Sequence, residues 1–223
     1  MANLKQIDVF LMFEPTDRNS LTVKGKKTIE KGPDWEALKV EVARKGYTLI
    51  VNGPPSHPAV SEVTNSLSTA GVTVFVGHGS SVATGGSQFV SGQLKLADGM
   101  INSPDGLYQG KWSGRELTPD AGTTPAKVRI NKVTALFTCN SHAALPKAFE
   151  IPEDSALITN DGGTDGLTRI GTLEQGAYAF VRRYVSSGGS TAKAMEKAQI
   201  TFVSKGKEYL GDRKDKLHTV TSP

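Results

Sequence analysis

A chain of 223 residues, 37% hydrophobic and 22% charged, can bury the core of a globular domain and is not a largely disordered protein. Its formal net charge is only +4, and no stripe of Lys and Arg alternates with aromatic residues, which argues against direct nucleic-acid binding. No apolar run reaches the length of a membrane span, and the first residues lack the apolar segment of a signal peptide. We therefore expect a cytoplasmic protein without a membrane partner.

Strands and helices alternate over the first 80 residues. Predicted strands cover 6–13 and 47–52, predicted helices cover 33–46 and 59–70, and a long loop or loose hairpin covers 14–32. The helical segments place their apolar residues on one face, whereas the strands are almost continuously apolar. This alternation predicts a parallel sheet with helical crossovers.

The regular alternation lapses between residues 79 and 132, where glycines are frequent. The pattern of 88–96 and the turn at Asp98-Gly99 predict a small β-hairpin, followed by a Gly/Pro-rich connection. Further on, we predict a short helix at 142–149, a strand at 155–159 and helices at 172–186 and 191–203. These elements form one domain, 1–204, and a charged, frayed tail, 205–223.

Two hydrophobic runs, 72–79 and 132–142, predict the central strands of the sheet. His78 ends the first strand and Cys139 ends the second. Because the functional crevice of an open α/β sheet lies outside the carboxyl ends of its strands, both side chains should emerge at the same rim. Cys139 is the only cysteine, so it can form neither an intrachain disulfide nor a thiolate metal site. It either performs chemistry or is a small core residue, and the less favoured reading of His78 is a structural cap.

Three segments resemble a known family: the His78-Gly79 strand end with the hairpin 94–99, the strand end 135–140, and the C-terminal layout of 156–201. They are similar to caspase-like (clan CD) cysteine peptidases, and within these to the bacterial CHAT domains. The resemblance implies a caspase-like three-layer sandwich, with a mainly parallel sheet flanked by helices and a small β-hairpin after the His strand. No cofactor or metal is implied. Family members commonly have Gly three residues after the Cys, whereas this chain has His142.

Peptide hydrolysis gives each residue of the rim a role. An ordinary thiol, with a pKa of about 8.5, is mostly protonated at neutral pH, so the nucleophile Cys139 needs a neighbouring imidazole or helix amino end to favour its thiolate. His78 would then serve as the acid/base that protonates the departing amine. The backbone N–H groups of Gly79 and Cys139 are the expected oxyanion donors.

Other candidate residues have weaker patterns. Asp161 and Asp165 could line a substrate pocket for a basic side chain, although Asp before Gly is more simply explained as turn-forming. His142 is interpreted as a supporting or surface residue, His57 as a loop residue, and His218 as part of the tail.

The first functional hypothesis is a cysteine endopeptidase that cleaves a protein partner through a Cys-His dyad and needs a recruiting or activating protein. The resemblance implies a setting in bacterial defence, including antiviral defence, or cell death. The alternative is a catalytically inactive caspase-like protein-binding module. A third reading is a hydrolase of small amides or thioesters.

Overall fold

A six-stranded, mainly parallel sheet forms the centre of the protein. The computed structural model describes residues 3–14, 20–23, 26–29, 32–53, 57–78, 80–83, 89–138, 141–160, 170–198 and 217–220. In chain order the strands are β1 (Asn3–Met12), β2 (Ser20–Val23), β3 (Lys26–Ile29), β4 (Thr48–Asn52), β5 (Ala70–Gly77), β6 (Ser80–Ala83), β7 (Phe89–Leu96), β8 (Gly99–Asn102), β9 (Gly106–Ser113), β10 (Glu116–Pro119), β11 (Val128–Arg129), β12 (Val133–Thr138), β13 (Phe149–Glu150), β14 (Ala156–Asn160) and β15 (Leu217–Val220). The helices are α1 (Trp35–Ala43), α2 (Val60–Thr69), α3 (Ile170–Ser186) and α4, which is helical over 191–198.

The order of the central sheet is β15-β14-β12-β5-β1-β4, and only the pairing of β14 with β15 is antiparallel. Every residue of β5 and β12 is buried, as expected for apolar strands that are covered on both faces. The predicted α/β fold with a mainly parallel sheet between helices is therefore confirmed. The predicted loose hairpin is present as the antiparallel pair β2–β3.

The two faces of the central sheet are covered by different elements. On one, which we call the helical face, side chains such as Val9 and Phe137 pack against α1, α3 and α4. On the other, the mixed face, side chains such as Phe10 and Leu136 pack against α2 and strands β7 and β8. The carboxylate of Asp98 accepts a hydrogen bond of 2.7 Å from the Val60 N–H, which joins the β7–β8 turn to the start of α2.

The region after the His strand is larger than the small hairpin predicted from the sequence. It forms a five-stranded antiparallel sheet in the order β10-β9-β8-β7-β6. The expected Gly/Pro-rich connection is instead largely the hairpin β9–β10, in which Trp112 and Leu117 are cross-strand partners. Gly110 explains the error: a Cβ there would lie 2.2 Å from the Thr118 carbonyl oxygen, so this glycine permits close strand pairing and does not break the strand.

The predicted frayed tail is wrong at 217–220, where β15 pairs with β14 at the edge of the central sheet. Leu217 is buried and Thr219 is exposed, which is the alternation of a half-buried strand. Residues 205–216 and 221–223 lie outside the described residues, so the remainder of that prediction is untested.

Two predicted helices differ from the structure. The segment 142–149 forms turns, a 3-10 helix (Leu145–Ala148) and the first residue of β13. Pro146 lacks the N–H that a longer helix would use. The last predicted helix is present as α4, although residues 199–203 lie outside the described part of the chain. Within the described ranges, no helix combines the length and apolarity needed to cross a bilayer.

Candidate active site

The strands that precede His78 and Cys139 are neighbours in the central sheet. Strands β5 and β12 are parallel, and their register ends with Thr138 opposite Gly77. His78 directly follows Gly77 and is exposed. Thus the structure brings together the two strand ends that the sequence selected. Cys139, Gly79, Asp161 and Asp165 themselves lie outside the described residues.

The end of β5 is also held close to β1. A Cβ on Gly77 would lie 2.8 Å from the carbonyl oxygen of Met12, the residue opposite it in the parallel pairing. A larger residue at this position would therefore push the two strands apart next to His78. The backbone leading to the proposed acid/base is consequently set by its packing on both neighbours, β1 and β12.

The turn after Cys139 is tied to the neighbouring strand β14. The hydroxyl of Ser141, which is fully buried, accepts a 2.9 Å hydrogen bond from the Asn160 N–H. It can donate to the carbonyl oxygen of Leu136 at 3.2 Å. The His142 N–H donates to the Asn160 carbonyl oxygen at 3.0 Å. These bonds fix the chain two and three residues after Cys139, while Thr138 fixes it on the preceding side.

Buried polar residues gather at this edge of an otherwise apolar sheet. Thr138, Ser141, Thr159 and Asn160 are all fully buried at or just beyond the carboxyl ends of β12 and β14. Within the described residues, the Thr138 hydroxyl has no hydrogen-bond partner. Such a group is costly to bury without compensation and is uncommon in a purely structural core. The polar character of the rim therefore favours a functional role for this edge.

His142 and His218 form a pair that the sequence did not reveal. Their rings stack with centroids 4.3 Å apart and an interplanar angle of 25°. The Nδ1 atom of His142 lies 2.9 Å from the Thr159 hydroxyl oxygen, and Thr159 is the cross-strand partner of His218. The pair joins β15 to the turn after Cys139. The alternating pattern of 217–220 was the available signal, but it was too short to identify a strand.

Glu174 is a second residue that sequence reasoning missed. It is fully buried on α3, and its Oε1 accepts a 3.0 Å hydrogen bond from the indole N–H of Trp35 at the start of α1. Glu174 lies on the inward side of an amphipathic helix, where an apolar residue is expected. It therefore interrupts the apolar pattern of α3, and the local sequence does not identify Trp35 as its hydrogen-bond partner. The bond connects the amino-terminal parts of the two helices on the helical face.

His57 is less exposed than a loop residue usually is. Burial, together with the positive charge of Lys95, holds the pKa of His57 below its ordinary value of 6.5, and Glu14 opposes this shift only partly. The imidazole therefore favours its neutral form in the folded protein.

Among the described residues, no group of three or more His, Cys, Asp or Glu side chains could hold a metal ion. The residues gathered at the rim are instead hydroxyls, an amide and imidazoles. This set can donate and accept hydrogen bonds, and its imidazoles can transfer protons.

Comparisons with known proteins find matches among the solved structures. No protein-family model matches the chain, and no curated protein matches it. The crystal structure of the Arg specific cysteine proteinase gingipain R is similar at 14% sequence identity, with a TM-score of 0.45. The similarity covers 96% of this chain and 46% of the gingipain chain, so this chain spans about half the length of that protein.

Proposed function

We propose that this chain is a cysteine endopeptidase in which Cys139 is the nucleophile and His78 the acid/base. The observation that carries the proposal is the register of β5 and β12, which pairs Gly77 with Thr138 directly before the two proposed residues. Neighbouring strands in a sheet lie about 4.8 Å apart, so residues that follow paired positions begin close together. Side chains that start from positions this close can reach one another, as proton transfer between a thiol and an imidazole requires.

The proposed chemistry divides amide hydrolysis into two steps. The Cys139 thiolate attacks the carbonyl carbon, and His78 gives a proton to the departing amine; His78 then takes a proton from the water that hydrolyses the thioester. The N–H groups of Gly79 and Cys139 are the proposed oxyanion donors, and losing one such donor typically lowers the rate about 10²–10³-fold. Because a 3-10 turn replaces the helix expected after Cys139, His78 is the main proposed source of thiolate stabilisation.

The proposed substrate is a protein partner, cleaved at a defined site after recruitment or activation by another protein. Asp161 and Asp165 follow β14, whose pairing with β12 puts the end of β14 at the same rim. We propose that they bind a basic side chain next to the cleaved bond. The CHAT-like setting in bacterial defence or cell death follows from the sequence resemblance and remains a proposal.

The first test measures the pKa of the Cys139 thiol. Because the chain has one cysteine, the rate of alkylation by iodoacetamide as a function of pH reports this thiol alone. We expect a pKa below about 8.5 in the wild type and an increase toward that value in His78→Ala. His57→Ala, which removes another imidazole, is the matched control and should leave the thiol pKa unchanged. A thiol pKa that does not respond to His78 would contradict the dyad.

The second test is turnover. We expect the wild type to cleave members of a peptide library, with Cys139→Ala inactive and His78→Ala reduced by at least about 10²-fold. Circular dichroism of each variant would show that it remains folded. A chain that binds proteins but cleaves no peptide would contradict the enzyme.

One observation favours the alternative, a catalytically inactive binding module. Position 142, commonly Gly in the family, is occupied by a histidine whose ring is engaged by Thr159 and His218. If this histidine closes the site, His142→Gly should create peptidase activity that the wild type lacks. A binding module should also keep its partner binding in Cys139→Ala.

A further inference from the structure

Among the described residues, those that line a groove on the outer side of the helical layer carry an excess of positive charge. It has a volume of about 580 Å³ and is lined by residues of α1, α3 and α4. Arg182 and Arg183 come from α3, whereas Lys193 and Lys197 come from α4. We call these four residues and the space between them the basic groove. None of them belongs to the proposed active site.

The helical repeat explains why these side chains meet. Tyr178 and Arg182 are four residues apart on α3, and Lys193 and Lys197 are four residues apart on α4, so each pair occupies one side of its helix. The chain reverses between the helices in a short turn closed by a 2.8 Å hydrogen bond from the Gly189 N–H to the Tyr184 carbonyl oxygen. The turn allows α4 to line the same groove as α3.

Among the described residues, cationic side chains outnumber carboxylates in the lining of the groove. These residues supply four cationic side chains and two carboxylates, Glu41 and Glu196. One carboxylate, Glu41, lies 3.0 Å from the Nε atom of Arg182 and orients that guanidinium. Arg183 on α3 and Lys193 on α4 add two further cationic side chains to the lining of the groove. Phosphate oxygens match both the planar fork of Arg and the compact charge of Lys.

We propose that the basic groove binds a small phosphorylated ligand. Its volume falls within the range of about 300–1,000 Å³ that is typical of small-molecule sites. Tyr178, whose ring meets Trp35 edge to face at 5.4 Å, adds an aromatic wall to the site. A nucleoside triphosphate has both the charge and the ring for this groove.

Trp35 offers a direct optical readout. The chain has two tryptophans, so Trp112→Phe leaves Trp35, in contact with the groove residue Tyr178, as the only one. We would titrate this variant with ATP and with inorganic triphosphate, following Trp35 emission and heat by calorimetry. We expect saturable binding that weakens as ionic strength rises.

Charge removal then locates the site. In the same background, Arg183→Gln combined with Lys193→Gln should weaken binding of both probes by at least about tenfold, or about 1.4 kcal/mol. The matched control, Lys127→Gln combined with Lys147→Gln, removes the same charge from exposed positions outside the groove and should leave the affinity unchanged.

Three results would overturn the proposal: no saturable binding of either probe, equal weakening by the control pair, or tighter binding of an oligoglutamate peptide than of either probe. The last would indicate an acidic polypeptide as the occupant. Thermal unfolding of both double variants identifies any loss of binding that is due to misfolding. Because peptide cleavage is not measured, the result does not depend on the proposed peptidase activity.

Discussion

The helical face and the mixed face of the central sheet bury similar strands by different means. On the helical face, long helices provide most of the covering side chains, as in the edge-to-face contact of Phe137 with Phe180 at 5.9 Å. On the mixed face, one helix and an antiparallel sheet both provide covering side chains. Within the central sheet itself, the ring of Phe10 stacks on that of Phe75 with centroids 5.4 Å apart. The apolar sequence of a central strand therefore indicates that both of its faces are buried, but it does not indicate whether a helix or a second sheet covers each face.

The largest expected effects come from the aromatic cores of the two faces. Phe137→Ala on the helical face and Phe75→Ala on the mixed face should each lower the free energy of unfolding by about 3–5 kcal/mol, because both side chains are fully buried. Urea unfolding followed by far-UV circular dichroism measures both changes. A loss below about 1 kcal/mol at either site would show that this face is not a packed core.

The next comparison concerns the two indole N–H groups. Trp35→Phe leaves the fully buried Glu174 without one of its donors, so we expect a loss of about 1–3 kcal/mol. Trp112 donates to the Leu96 carbonyl oxygen at 2.8 Å but is only half-buried, so water can replace it in Trp112→Phe. The second variant should therefore cost less, and equal losses in urea unfolding would contradict this difference between the faces.

The pairing of β9 with β10, in the five-stranded antiparallel sheet, can be tested at Gly110. Gly110→Ala forces a Cβ against the Thr118 carbonyl oxygen, so β9 and β10 must separate, at a cost of about 1–3 kcal/mol. Gly53→Ala is the control, because no atom of the described residues lies within 4 Å of the added carbon there. We expect it to change the free energy of unfolding by less than about 1 kcal/mol. Similar losses in the two variants would argue against the close pairing at Gly110.

The sequence predicted the helical face better than the mixed face, for a physical reason. Continuous apolar strands and the 3.6-residue repeat of α3 identify buried parallel strands and their covering helices locally. Whether Gly110 breaks a strand or permits close pairing depends on Thr118, a neighbour in space that the local pattern does not identify. β15 was missed for the same reason, since four residues acquire their strand identity from pairing with β14.

The candidate site shows the same limit. The continuous apolar sequences of β5 and β12 predicted that the strands before His78 and Cys139 lie in the centre of the sheet. The register confirms that these strands are neighbours. The Ser141 hydrogen bonds and the stacked pair His142–His218 depend on β14 and β15, which reach the rim from distant parts of the sequence. Local patterns could therefore select the strand ends but not the side chains that support them.

The smallest expected effect is a pH dependence at His57. Its lowered pKa means that the unfolded chain binds a proton more readily, so this residue adds stability that is fully present above about pH 6.5. That contribution is lost as the pH falls from 6.5 through the lower pKa of the folded state. Urea midpoints measured between pH 7.5 and 5 should therefore fall less in His57→Gln than in the wild type.

Lys95→Met separates the two causes of this shift. Removing its charge leaves burial to lower the pKa of His57 while Glu14 still raises it, so the pKa should move back toward 6.5 and the acid-dependent loss should shrink. The ammonium of Lys95 also lies 4.5 Å from the ring centroid of Trp112, a contact worth about 0.5–1 kcal/mol at all of these pH values. If the urea midpoint of Lys95→Met differs from that of the wild type by the same amount at every pH, the difference reports the contact with Trp112. A change in how steeply the midpoint falls with pH reports the coupling of Lys95 to His57. If the pH dependence of the urea midpoint is unchanged in Lys95→Met, burial alone lowers the pKa of His57. The charge of Lys95 would then make no contribution to the acid dependence of stability.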